Sequence, residues 1–126
     1  MNEEDEICIL PTINRAAAIV IPTQAMLDWI NSTPAKLDET FTLARLQKEN
    51  TSVFLISEFP TEDDLFAWFK KDCKDALTEL LLGWCTDTEC WPKICWDTFN
   101  KFYEIRIEPL VFDMGDGPIE QDDEIE

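Results

Sequence analysis

Trp68, Asp72, Asp75 and Glu79 stand at the i, i+4, i+7 and i+11 spacing that aligns side chains along one α-helix. Acids in such a line, beside an apolar face, can hold a divalent cation or receive a basic partner helix. They also occur as the ordinary solvated boundary of a core, and that is the simpler reading. A second set is Cys73, Cys85, Cys90 and Cys95. Four thiolates can bind zinc, but zinc sites space paired ligands by two to four residues, usually with one tight pair, whereas the intervals here are eleven, four and four residues. Free thiols are the plainer account, and Cys73 falls on the predicted apolar face of a helix. The third set is the segment from Gly83 to Pro92, where Trp84 and Trp91 flank a short acidic turn at Asp87. Indoles are frequent at interface hot spots, yet one or both can instead plug the core beneath the loop. Asp113-Met114-Gly115-Asp116-Gly117 has the oxygen ligands of a calcium loop without the EF-hand spacing or a following helix.

What is missing is as informative. The chain of 126 residues contains no histidine, which removes the commonest proton shuttle near neutral pH and the commonest metal ligand. It has no Gly-x-Ser-x-Gly and no phosphate-binding loop. No residue earns a catalytic or metal-binding role from the sequence, and no cofactor is called for. Net charge is −17 at pH 7. A field of that sign attracts basic surfaces and repels nucleic acid and anionic lipid.

These residues must be positioned by a single domain. Ten acids and no bases fall within residues 1–6 and 116–126, leaving seventeen acids against ten bases between them. Residues 1–6 and 115–126 therefore read as acidic tails around a domain at 7–114. Hydrophobic residues make up 45% of the chain and include five tryptophans, enough for a core. No apolar run is long enough to span a membrane. The acidic start is unlike a secretory signal, and an odd count of five cysteines fits reduced thiols, so a cytoplasmic protein is expected.

Along the chain, Ile7–Leu10 can form a short strand or an extension of the tail. The unbroken apolar run Ala16–Ile21, stopped by Pro22, predicts a buried strand. Thr23 is placed to cap a helix over Gln24–Ile30, ended by Asn31–Pro34, with Met26, Leu27 and Ile30 inward. A weak helix is predicted over Thr40–Lys48 and a strand over Ser52–Ile56. Thr61, followed by Glu62, Asp63 and Asp64, opens the clearest helix. Its inward set is Leu65, Phe69, Cys73, Ala76, Leu77 and Leu80, and Gly83 stands at the C-cap position. A short helix is predicted over Ile94–Phe102, with Trp96, Phe99 and Phe102 on one side. Glu104–Glu108 alternates as a half-exposed strand should, and Pro109 demands a bulge or an edge before Leu110–Phe112. The fold class is α+β: a small three- or four-stranded antiparallel or mixed sheet with helices packed on one face.

Ile19-Val20-Ile21-Pro22, Leu27-Asp28-Trp29-Ile30-Asn31, Val53–Phe59, Gly83-Trp84-x-Thr86-Asp87, Trp91-Pro92, Phe99-x-x-Phe102 and Val111-Phe112-Asp113 together resemble a group of small acidic bacterial proteins of uncharacterised function. The resemblance runs from about Ala18 to Met114. It implies bacterial origin and cytoplasmic location and supplies no activity, substrate or catalytic residue.

The leading functional expectation is a non-enzymatic, acidic protein-binding module of the inhibitor, immunity or adaptor type. Its partner would be a basic protein, and its surface would draw on Trp29, Trp68, Asp72, Asp75, Glu79, Trp84, Asp87 and Trp91. One alternative is a small metal-dependent hydrolase using Asp28, Glu58 and Asp113. Another is a DNA mimic, against which the concentration of acids at the chain ends weighs.

Overall fold

The run Ala16–Ile21 becomes the middle of a sheet, which is why it carries no alternation: a strand with neighbours on both sides has little surface to give to water. The computed structural model describes residues 11–120. Three strands are present among them, β1 (Arg15–Pro22), β2 (Ser52–Ser57) and β3 (Tyr103–Glu108). They are antiparallel in the order β2-β1-β3. The expected α+β fold is therefore present, with three strands rather than four in this region. The expectations for Ile7–Leu10 and for the outermost acidic residues lie outside the described residues.

Register decides which face is covered. Ala16, Ala18 and Val20 share the inner face with Ile56 and Phe54 on β2 and with Ile107 and Ile105 on β3. The helices lie against that face, and Ala16, Ala18 and Val20 are fully buried there. The outer face carries Ile19, Val53 and Leu55 beside Glu104 and Arg106. Val53 and Leu55 are 61% and 49% exposed.

Among the described residues five α-helices supply the other layer: α1 (Gln24–Asn31), α2 (Leu43–Asn50), α3 (Glu62–Asp72), α4 (Lys74–Leu82) and α5 (Trp96–Phe102). Met26 and Ile30 of α1, Leu46 of α2 and Phe99 of α5 are completely buried. Thr33 closes α1, its hydroxyl donating to the Ile30 carbonyl at 2.7 Å and accepting from the Ala35 N–H at 3.1 Å. α2 begins three residues later than its sequence implied, because Thr42 and not Thr40 caps it by accepting from the Arg45 N–H at 3.1 Å.

Thr23 occupies the N-cap position of α1, but its side chain makes no capping bond there. Its hydroxyl donates instead to the Lys101 carbonyl at 2.7 Å, and its N–H to the Phe102 carbonyl at 2.8 Å. Those are two of the carbonyls that α5 leaves unpaired at its end. A residue read as a local cap is thus a long-range tie between α1 and α5.

The helix expected from Thr61 to Gly83 is two helices, divided at Cys73. Its buried residues explain the break. They are Leu65, Phe69, Cys73, Leu77 and Leu81, each four residues from the last. On a straight helix, every step of four turns about 40° past a full revolution, so the set would drift by about 160°. The break at the midpoint divides that drift between two shorter helices. It also moves the core position from Leu80, which is half-buried, to Leu81. Gly83 ends α4 in right-handed geometry, at φ −63° and ψ −19°, so its freedom to adopt positive φ is not used.

Strand β3 stops at Glu108, and Leu110–Phe112 does not continue it. Pairing resumes only as a single bridge between Thr12 and Phe112. From the Ala17–Glu108 pair to that bridge there are five residues on one strand and four on the other. The pairing therefore slips by one residue past Pro109, as a bulge requires.

Candidate functional site

The acidic stripe survives the break in the helix. Thr61 opens α3 by accepting from the Asp64 N–H at 3.1 Å, and Glu62, Asp63 and Asp64 occupy the first turn, where the helix dipole favours negative charge. One turn on, Trp68 is half-buried and rests against Phe59, ring centroids 5.6 Å apart. Asp72 ends α3, and Asp75 and Glu79 follow on α4, all three exposed. Together with Trp68 they line one wall of an open groove of about 710 Å³. Phe54–Ile56 on β2 line the groove as well.

Strand β2 lies at the edge of the sheet, so its outer side has no strand partner among the described residues. This wall is silent in residue type, since Phe54, Leu55 and Ile56 hold no charge or nucleophile. Lys71 and Lys74 also border the groove. The charged lining of the groove is therefore three acids, Asp72, Asp75 and Glu79, and two lysines.

Glu79 borders a second, smaller hollow of about 310 Å³, whose wall includes Trp84 and the start of β2 at Ser52. Glu79 is the residue that the two linings share. The structure therefore brings together four residues singled out in the sequence, Trp68, Asp72, Asp75 and Glu79, and places Trp84 in the neighbouring hollow.

Trp29, Asp87 and Trp91 are placed elsewhere, and their work is visible. Trp29 is only 9% exposed, tilts against Phe102 at 6.0 Å, and donates its indole N–H to the Cys90 carbonyl at 2.9 Å. Trp91 donates to the Cys85 carbonyl at 2.8 Å. Asp87 accepts from the Glu89 N–H at 3.0 Å and caps the short 3-10 turn Thr88–Cys90. Two indoles thus pin the loop between Trp84 and Pro92, and Asp87 shapes its tip.

The four thiols in the described region are all free. Cys73 is 1% exposed, and burial pushes its pKa up. Desolvation, followed by the Cys85 and Asp87 groups beside it, raises that of Cys90. The Thr98 hydroxyl, 3.5 Å from the Cys95 sulfur, favours the thiolate and lowers that of Cys95. Among the described residues no three Cys, Asp or Glu side chains converge as metal ligands, so neither the thiols nor the trio Asp28, Glu58 and Asp113 forms such a set. Asp28 instead accepts from Gln24 at 2.9 Å, and Asp113 accepts from the Gly115 N–H at 2.9 Å. No helix in the described region is long and apolar enough to cross a membrane. Comparison with family models, with curated proteins and with solved structures finds no match to this chain.

Proposed function

We propose that this chain is a non-enzymatic binding protein, cytoplasmic in location, that takes a basic protein partner in the groove between β2 and the α3–α4 pair. The observation that carries this reading is the alignment of Trp68 with Asp72, Asp75 and Glu79 on one wall of an open groove. An indole offers a flat face to a guanidinium or ammonium group, and the acids behind it supply opposite charge. The net charge of −17 adds long-range attraction for the same class of partner and speeds encounter. The histidine-free composition supports binding over catalysis.

The test is comparative capture. Immobilised wild-type chain and the Asp72→Lys/Asp75→Lys/Glu79→Lys variant are exposed to the same lysate at about 50 mM and about 300 mM salt, spanning weak and strong screening. The reading expects a defined basic protein that binds the wild type at low salt, is released at high salt, and is lost from the variant. Recovery of the same proteins on both would refute it.

A further inference from the structure

We infer that the occupant of this groove is an extended segment that adds, as a fourth strand, to the edge of β2 that has no strand partner among the described residues, with basic and β-branched residues in alternation. The inference rests on the groove reading above and goes further, by stating the partner's conformation and residue pattern.

Three observations lead to it. First, β2 is an edge strand whose exposed side forms a wall of the groove, and unpaired strand edges bind extended chains through main-chain hydrogen bonds. Natural edges are commonly protected by lysine, proline or a covering loop. This one, Ser52-Val53-Phe54-Leu55-Ile56-Ser57, has no charge and no proline.

Second, the two faces of an added strand would meet different chemistry. Its inward side chains would lie over the groove, facing Trp68, Asp75 and Glu79. Its outward side chains would flank Val53 and Leu55, which are 61% and 49% exposed on the outer face of the sheet. Apolar residues beside those two would bury them, and cross-strand pairs of β-branched residues are favourable.

Third, the spacings agree. Asp75 and Glu79 are separated by about 6 Å along α4, from a rise of about 1.5 Å per residue. Alternate residues of a strand are separated by about 6.8 Å, from a rise of about 3.4 Å each. On a strand running alongside α4, basic residues at i and i+2 would match the two acids in spacing.

A second copy of this chain is the competing occupant. Pairing β2 with its own symmetry mate would set two acidic stripes on the same face of one continuous sheet, with repulsion at the seam. The charge pattern favours a basic strand.

The experiment uses three synthetic peptides of identical charge and sequence, Lys-Val-Arg-Ile-Lys-Val with blocked ends. One is unmodified, and another is N-methylated at the amides of alternate residues along one edge; the third, methylated on the opposite edge, covers either strand direction. Each is titrated into the full chain by fluorescence of the tryptophans, with Asp75→Lys/Glu79→Lys as the control variant. We expect the unmodified peptide to bind, the variant to bind it at least about tenfold more weakly, and one of the two methylated peptides to lose about tenfold or more, because its edge no longer donates hydrogen bonds. Equal binding of all three peptides, sensitive to the variant, overturns strand addition and leaves the groove reading standing. No binding by any of them also overturns strand addition, and the capture experiment then judges the groove alone. A concentration-dependent dimer in sedimentation, dissolved by Leu55→Lys, would assign the edge to a second copy instead.

Discussion

Replacing Trp29 by phenylalanine separates the core role assigned to this indole from a surface role. The substitution keeps a ring against Phe102 and removes the indole N–H that donates to the Cys90 carbonyl at 2.9 Å. About 40 Å² of apolar surface is lost, worth about 1 kcal/mol at about 25 cal/mol per Å². The space left is about 35 Å³, which adds about 0.8 kcal/mol at about 24 cal/mol per Å³. Loss of the hydrogen bond contributes about 1 kcal/mol more. The sum is a destabilisation of about 2–3 kcal/mol. For 126 residues the unfolding entropy is about 0.26 kcal/mol per degree, so Tm falls by about 8–11 °C. Reversible unfolding followed by circular dichroism reads this directly. Trp68→Phe is the control. Trp68 is half-buried and makes no indole hydrogen bond among the described residues, so its replacement should cost less than about 1 kcal/mol. Equal losses at the two positions, or a loss below about 0.5 kcal/mol at Trp29, would refute the assignment.

Three further outcomes follow from particular residues. Gly83→Ala should raise stability by about 0.4–1 kcal/mol in urea unfolding, because Gly83 is already right-handed and an added Cβ would meet only the Leu80 carbonyl oxygen at an ordinary 3.4 Å. Burial raises the pKa of both Cys73 and Tyr103 above their ordinary values of 9.0 and 10.0. The unfolded chain then loses these protons first. Their contribution is complete below about pH 8.5 and declines as pH rises through 9 and 10, with a slope approaching about 1.4 kcal/mol per pH unit for Tyr103 alone. Tyr103→Phe should flatten that decline in a series of unfolding curves, and an unchanged slope would contradict it. Among the thiols in the described region, Cys95 should be alkylated fastest near neutral pH and Cys73 slowest, read by mass spectrometry of timed iodoacetamide reactions.

The fold class was legible because several local signals agreed. The unbroken Ala16–Ile21 run, the alternation in Glu104–Glu108 and the cap at Thr61 each demand one kind of element. Strand order was not legible, although the pattern holds a clue to it: the strand without alternation is the central one, and the two with exposed positions are edges. Helix phase was harder. Periodicity at 100° per residue placed Leu80 inward, whereas spacing by four from Leu65 to Leu81 required a break that no proline or glycine announces.

At the candidate site, the stripe on α3–α4 was legible from spacing alone. The lining from β2 was not, because a strand edge binds through its backbone and leaves no mark in residue type. Trp29 and Trp91 were ambiguous for a physical reason. An indole has an apolar body and one donor, so it suits an exposed hot spot and a buried anchor to a loop carbonyl equally well. Only the partners of the two N–H groups, the Cys90 and Cys85 carbonyls, decide between these roles.

The central claim is that the groove between β2 and the α3–α4 pair receives the partner. It is tested most directly by titrating the unmodified basic peptide into isotopically labelled full chain and following amide shifts residue by residue. The account predicts that the largest changes fall on Phe54–Ile56, on the Trp68 indole and on Asp72–Glu79. Changes concentrated in the acidic residues at the chain ends, or in the loop from Trp84 to Trp91, would contradict it.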